Sequence, residues 1–123
     1  MPVKVVDASA LGALVFVEPQ AEAIAGELMG ATLAAPKLLR FELASICLKK
    51  MNKHPTQAEE LLAAFRLSER LAIEILEVEH SGVIQLARQT GLTAYDASYL
   101  WLAHKLNGQV VTLDRRLADA ASR

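Results

Sequence analysis

Val3-Lys4-Val5-Val6 opens the chain with a short β-branched run that stops at Asp7, the pattern of a buried strand ending in an acid. Ser9 to Val17 follows with Leu11, Leu14 and Val15 on one side, which predicts a short helix broken at Glu18-Pro19. A second helix is expected from about Ala21 to Met29, ended by Gly30 in a left-handed cap. Thr32 to Ala35 is short and apolar and Pro36 ends it, so it reads as a second strand. Leu38 to Met51 has helical periodicity, with Lys49, Lys50 and Lys53 near its end, where the macrodipole favours cations.

Thr56-Gln57-Ala58-Glu59 has the form of a capping box, and Ala58, Leu61, Leu62 and Phe65 behind it follow i, i+3, i+4, i+7 spacing. Ile73 to Val78 alternates like a strand with one wetter face. A helix from about Ser81 to Gln89 ends at Gly91. Thr93-Ala94-Tyr95-Asp96 opens another that runs to Leu106 and closes at Asn107-Gly108. Val110 to Leu113 is a last strand, and Asp114 begins a short terminal helix. The order β-α-α-β-α-α-β-α-α-β-α predicts an α/β fold, with a central parallel sheet of four or five strands, helices on both faces and right-handed crossovers. No internal repeat or linker interrupts it, so residues 1–123 read as one domain.

Composition narrows the setting. A chain of 123 residues that is 53% apolar can build one substantial core and is not disordered. No apolar run approaches the ~20 residues needed to span a bilayer, and Asp7, Glu18 and Pro19 interrupt any secretory pattern at the start. No membrane role and a cytoplasmic location are the expectations. The single cysteine, Cys47, permits neither an intramolecular disulfide nor a thiolate cluster, and beside Ile46 and Leu48 it reads as buried and inert. A formal charge of −1 argues against a generally basic nucleic-acid coat, though not against a local basic patch.

Four acids stand where solubility does not need them. Asp7 and Asp114 follow the first and last strands, and each also suits the N-cap of the helix it precedes. Glu42 has Leu38, Leu39, Ser45 and Ile46 as its helical neighbours, inside the apolar stripe rather than opposite it. An ion pair with Arg40 or Lys49 is the structural explanation; otherwise burying the carboxylate costs several kcal/mol. Asp96 repeats the anomaly among Leu92, Thr93, Tyr99 and Leu100, and Thr93-x-x-Asp96 is also a capping-box pattern. In a parallel sheet all four positions fall on one rim. Two carboxylates ~4 Å apart repel by about 4 kcal/mol at an effective dielectric of ~20, so such a cluster is protonated or holds cations.

An all-oxygen cluster suits Mg²⁺ or Mn²⁺ rather than zinc. No two of His54, His80 and His104 have zinc-site spacing, and His104 is expected to pack behind Trp101 and Leu100. No phosphate-binding glycine loop or serine-hydrolase elbow occurs. Ser9 and Thr112 are polar accessories, each readable as a contact to a metal-bound water or phosphate, or as an ordinary local hydroxyl.

Val5-Val6-Asp7-Ala8-Ser9, Glu42 after Pro36, Leu92-Thr93-Ala94-Tyr95-Asp96-Ala97 and Val111-Thr112-Leu113-Asp114-Arg115-Arg116-Leu117 together resemble the motifs of PIN domains. The small size resembles VapC-type toxins of toxin–antitoxin pairs. The resemblance spans essentially the whole chain. It implies metal-binding, catalytic acids at Asp7, Glu42, Asp96 and Asp114 with Thr112 as accessory. It also implies Mg²⁺- or Mn²⁺-dependent RNA cleavage, a homodimer and inhibition by a cognate antitoxin. Asp119 competes with Asp114 for the fourth position or assists it. Arg115 and Arg116, directly after an acid, are the first candidates for phosphate contact, and Lys49, Lys50, Lys53 and His54 form a second basic cluster; plain solvated surface is the alternative for both.

Two rival readings stand beside this one. A phosphoacceptor signalling domain also has an acidic Mg²⁺ pocket, but it expects adjacent acids on the first turn and a lysine ending the last strand. Here Asp7 has no acidic neighbour and the last strand leads to Asp114. The other is a non-catalytic RNA- or protein-binding module on the same scaffold, against which the intact acids speak. The Ala58–Leu71 region and the helix carrying Glu42 offer apolar surface for an antitoxin, a second subunit or the core.

Overall fold

The computed structural model describes residues 1–123. In chain order the elements are β1 (Val3–Val6), α1 (Ala8–Val15), α2 (Ala21–Leu28), β2 (Thr32–Pro36), α3 (Leu38–Lys53), α4 (Ala58–Ser68), β3 (Ile73–Leu76), α5 (His80–Thr90), α6 (Ala94–Leu106), β4 (Gln109–Val111) and α7 (Arg115–Ala121). The expected alternation of strands and helix pairs holds throughout, with four strands.

All neighbouring strands are parallel, in the order β3-β2-β1-β4. Val5 lies opposite Ala34 on one side and Val110 on the other, so the valine run occupies the middle of the sheet. Val5 and Val6 are fully buried, as continuous β-branched runs are in two-faced parallel sheets. The connections through β1, β2 and β3 step one way, and the return to β4 steps the other. With right-handed crossovers this sends α1 to α4 to one face and α5 and α6 to the opposite face. Accordingly α1 packs on α2, α3 and α4, while α6 crosses β1, β2 and β4 with α5 and α7 beside it. The order reverses between β1 and β4, and open sheets bind ligands outside the strand ends at such a reversal.

Two glycines fix how the chain reaches that rim. Gly91 ends α5 with φ of +76°, a left-handed turn that redirects the chain into α6. A Cβ on Gly108 would stand 2.6 Å from the Val3 carbonyl oxygen, so only glycine lets the turn before β4 lie against β1.

Two local expectations are corrected. Thr56 does not cap α4: residues Pro55–Gln57 form a 3-10 turn, α4 starts at Ala58 after Gln57, and no side chain caps it. Pro55 fixes its own φ, and Gln57 N–H donates to the His54 carbonyl at 2.9 Å, so Thr56 lies inside a turn rather than in the extended backbone a cap requires. The last strand is also shorter than the apolar run, because Thr112 leaves the ladder after Val111. Cys47 is buried, with its thiol near Met51 Sδ and the Leu61 carbonyl, and burial raises its pKa.

Candidate active site

Asp7 continues β1 by one residue, its N–H donating to the Val111 carbonyl at 3.1 Å, and then turns out of the sheet to cap α1. Asp7 is 4% exposed, and its carboxylate is held from three directions. Oδ1 accepts from Ala10 N–H at 3.0 Å and from the Ser9 hydroxyl at 2.8 Å; Oδ2 accepts from the Thr112 hydroxyl at 2.5 Å. Ser9 and Thr112 each spend their only proton on Asp7, and each accepts a backbone N–H, from Leu113 and Asp114 respectively, both at 2.9 Å. The rim between β1 and β4 is therefore stitched together around one carboxylate. Of roughly four acceptor positions on Asp7, three are filled, which leaves one for a ligand.

Glu42 projects from α3, whose Leu39, Leu43 and Cys47 are buried. It forms neither of the ion pairs open to it with Arg40 or Lys49. Its partner is Tyr99, whose hydroxyl donates to Oε1 at 2.6 Å from a side chain only 1% exposed. Nothing in the spacing singles out Tyr99 beyond its place three residues after Asp96. The available signal was chemical: a buried tyrosine needs an acceptor, and an inward carboxylate needs a donor.

Asp96 lies in the first turn of α6, and Thr93 caps that helix by accepting Asp96 N–H at 3.1 Å. The cap uses the Asp96 backbone N–H, and the half-buried carboxylate also interacts with the Thr93 hydroxyl, which lowers its pKa. Asp114 caps α7 through Oδ1, which accepts Leu117 N–H at 3.0 Å. Its second oxygen has no such duty.

The four acids line one cavity of about 270 Å³ together with Ala8, Ser9, Ser45, Ile46 and Lys49. Burial is the main cause that raises the Asp7, Glu42 and Asp96 carboxyls above their ordinary range, and repulsion among the acids adds to it. Asp114 acts on Asp7; Asp114 and Asp7 act on Asp96; Asp96 and Asp7 act on Glu42. Burial, the bond to Glu42 and the surrounding negative charge push the Tyr99 hydroxyl up as well, so it stays a donor.

The lining offers oxygen donors and no imidazole or thiolate, the chemistry that suits Mg²⁺ or Mn²⁺. No three acidic groups close around a single ion-sized point. Mg²⁺ characteristically keeps several waters and takes only one or two carboxylates directly, so an open acidic cavity fits it better than a tight cage would.

The remaining predicted residues separate into those at the cavity and those away from it. Ser9 lines it, and Thr112 reaches it through Asp7. Asp119 is exposed on the far turn of α7 and does not line it, whereas Asp114 does. Arg115 and Arg116 are exposed and outside the lining; Arg116 donates to the Gly91 carbonyl at 3.0 Å, close enough to lower the Asp96 pKa. Within the second basic cluster, Lys49 lines the cavity, Lys50 pairs with Glu18, and Lys53 and His54 are exposed.

Comparison with known proteins identifies the family and the fold. Ribonuclease VapC3 of Pyrobaculum aerophilum is 35% identical over 124 residues, covering 94% of this chain and 92% of that protein. A crystal structure of PAE2754, also from Pyrobaculum aerophilum, matches with a TM-score of 0.80 at 26% identity, over 98% of this chain and 85% of that one. Residues 4–122 match the PIN domain. With nearly its whole length matched, this chain belongs to the PIN domain family.

Proposed function

We propose that this protein is a Mg²⁺- or Mn²⁺-dependent endoribonuclease of the VapC type, the toxin of a toxin–antitoxin pair acting on RNA in the cytoplasm. One observation carries the reading: carboxylates from four separated stretches, Asp7, Glu42, Asp96 and Asp114, line a single cavity at the strand-order reversal. Similarity to a protein named as a ribonuclease supports the choice of substrate.

Asp7, Glu42 and Asp96 are the residues that would hold the cation, directly or through its waters. When bound, the cation supplies positive charge at the scissile phosphate and makes water a stronger nucleophile at neutral pH. Asp7 is the rigid member, because Ala10, Ser9 and Thr112 leave its carboxylate one orientation. Tyr99 restrains Glu42 through the one bond that its buried hydroxyl donates. Asp114 offers the oxygen not used in capping as an acceptor that orients the attacking water. Lys49 supplies the cationic contact to the phosphate from within the lining, and Arg115 and Arg116 contact the backbone farther out. Asp119 stays a peripheral acid. A homodimer and a cognate antitoxin complete the proposal, and the apolar groove between α1 and α4, lined by Leu14, Val15, Leu67 and Leu71, offers surface for such a partner.

The test is metal dependence. Protein stripped with a chelator is incubated with single-stranded RNA, then titrated with Mg²⁺ or Mn²⁺. Cleavage that returns with the metal and gives defined ends on sequencing is expected. Full cleavage in excess chelator would remove the metal from the mechanism.

A further inference from the structure

Lys49 is the one cation in the lining of the acidic cavity. It stands on α3 seven residues after Glu42, about 10.5 Å along the helix axis, and Ser45 and Ile46 line the wall between them. Its neighbour Lys50 is engaged elsewhere, paired with Glu18 and 5.9 Å from the centre of the Phe16 ring. Lys49 is exposed and joins neither of the chain's ion pairs, Lys37–Glu77 and Lys50–Glu18. The acids do not engage it either. The charged groups that shift Asp7, Glu42 and Asp96 are one another, Asp114 and Arg116. Lys49 thus faces the cavity without neutralising its acids.

Topology gives the cavity two ends. β1 lies between β2 and β4; Asp7 continues β1, α3 follows β2, and Asp114 follows β4. Lys49 and Asp114 therefore belong to opposite flanks of Asp7. The repulsions keep the same order, because Asp114 acts on Asp7 and Asp96 but not on Glu42. The lining is negative at its β4 end and across its centre, and positive only at its α3 end.

We propose that Lys49 is a catalytic residue that gives a proton to the bridging oxygen leaving the scissile phosphate. The proposal rests on the ribonuclease reading and assigns a direction to the reaction across its site. Displacement at phosphorus keeps the attacking and leaving oxygens roughly in line, on opposite sides of the phosphorus. Water oriented by Asp114 enters from the β4 end, so the leaving oxygen departs toward α3. Charge demands the same sense. The departing oxygen gains negative charge, which the carboxylates repel and the Lys49 ammonium offsets. In the step, the water oxygen bonds to phosphorus while the bond from phosphorus to the ribose oxygen breaks. One water proton leaves through Asp114 to solvent, and the ribose oxygen takes a proton from Lys49, which regains one from solvent. The products are a terminal phosphate and a hydroxyl. Arg116 does not compete for this role, because it lies outside the lining and is tied to the Gly91 carbonyl.

The test compares wild type and Lys49→Met on one short single-stranded RNA in three forms, all with Mn²⁺. One form is unmodified, and the others carry sulfur in place of one or the other bridging oxygen at the cleaved phosphorus. The fragment that keeps the terminal phosphate identifies the leaving side. Sulfur leaves readily as a thiolate and needs no proton, so at that position it removes the demand on Lys49. Circular dichroism checks the fold of the variant, and calorimetry reads its Mn²⁺ affinity. On unmodified RNA the kcat of Lys49→Met should fall by about 10²- to 10⁴-fold, the usual range for losing a general acid, with KM changed far less. Sulfur at the leaving position should abolish most of that deficit, and sulfur at the other position should not. Mn²⁺ affinity should not fall. An equal deficit on all three RNAs, a deficit in KM alone, or weaker Mn²⁺ binding overturns the leaving-group role. Equal cleavage of unmodified RNA by both proteins also overturns it and leaves the ribonuclease reading standing. If wild type cleaves none of the three, the ribonuclease reading itself fails and the role of Lys49 falls with it.

Discussion

Replacing Tyr99 by Phe removes one oxygen and leaves the ring packing, yet it reaches the chemistry. The hydroxyl donates to Glu42 Oε1 at 2.6 Å. A hydrogen bond to a charged group contributes about 1.5–3 kcal/mol. Glu42 is only half-buried, so water competes and the lower end, about 1.5 kcal/mol, applies. One pKa unit corresponds to about 1.36 kcal/mol. The Glu42 carboxyl is raised by burial and by repulsion from Asp96 and Asp7, and the Tyr99 bond is the one contribution that lowers it. Without that bond the carboxyl holds its proton to a higher pH. Two measurements follow from the sign. The acid limb of RNA cleavage against pH moves upward with its plateau nearly unchanged. Urea unfolding of the metal-free variant at neutral pH shows a loss of about 1.5 kcal/mol that shrinks as the pH falls through the Glu42 pKa. An acid limb at the wild-type pH, with unchanged unfolding, would refute the coupling between Tyr99 and Glu42.

Asp7, Glu42 and Asp96 all have folded-state pKa values above their ordinary 3.8, 4.5 and 3.8. The folded chain therefore binds protons more tightly than the unfolded one, so metal-free stability falls as pH rises from about 4 through the raised values. Thermal melts in chelator across that window should show the decline, and saturating Mg²⁺ should flatten it; a rise in metal-free stability would contradict the raised pKa values of the three acids. Thr112→Val removes the 2.5 Å bond to Asp7 and the acceptor for Asp114 N–H. Mn²⁺ affinity by calorimetry should drop roughly 10- to 100-fold and Thr112→Ser should restore it, whereas unchanged affinity would mean that Asp7 does not need this support.

Much of this molecule is legible in its sequence because the relevant signals are local. Valine runs, proline stops and Gly91 mark elements whose lengths suffice to order the sheet, and strand ends necessarily share a rim. The order of elements alone therefore brings Asp7 and Asp114 together. Glu42 and Asp96 announce themselves by standing among leucines. What escapes is direction and partnership across the fold. Tyr99 reads as core because a tyrosine in an apolar stripe usually is, and its acceptor lies 57 residues away. Arg116 follows a cavity-lining acid closely in sequence but turns to the Gly91 carbonyl, while Lys49 on α3 lines the cavity. Thr56 has capping-box spacing, yet Pro55 beside it tightens the backbone into a 3-10 turn that such spacing cannot register.

The central claim is that the acidic cavity cleaves RNA, and Asp96→Asn tests it most directly. The Asp96 carboxylate interacts with the Thr93 hydroxyl, and asparagine keeps an oxygen there, while the α6 cap itself runs through the Asp96 backbone N–H. The variant should therefore fold with wild-type circular dichroism and unfolding. Its Mg²⁺-dependent cleavage of single-stranded RNA should fall by more than about 100-fold, beyond what losing an outer hydrogen-bond partner of a metal ligand costs. Full cleavage by correctly folded Asp96→Asn would contradict the claim.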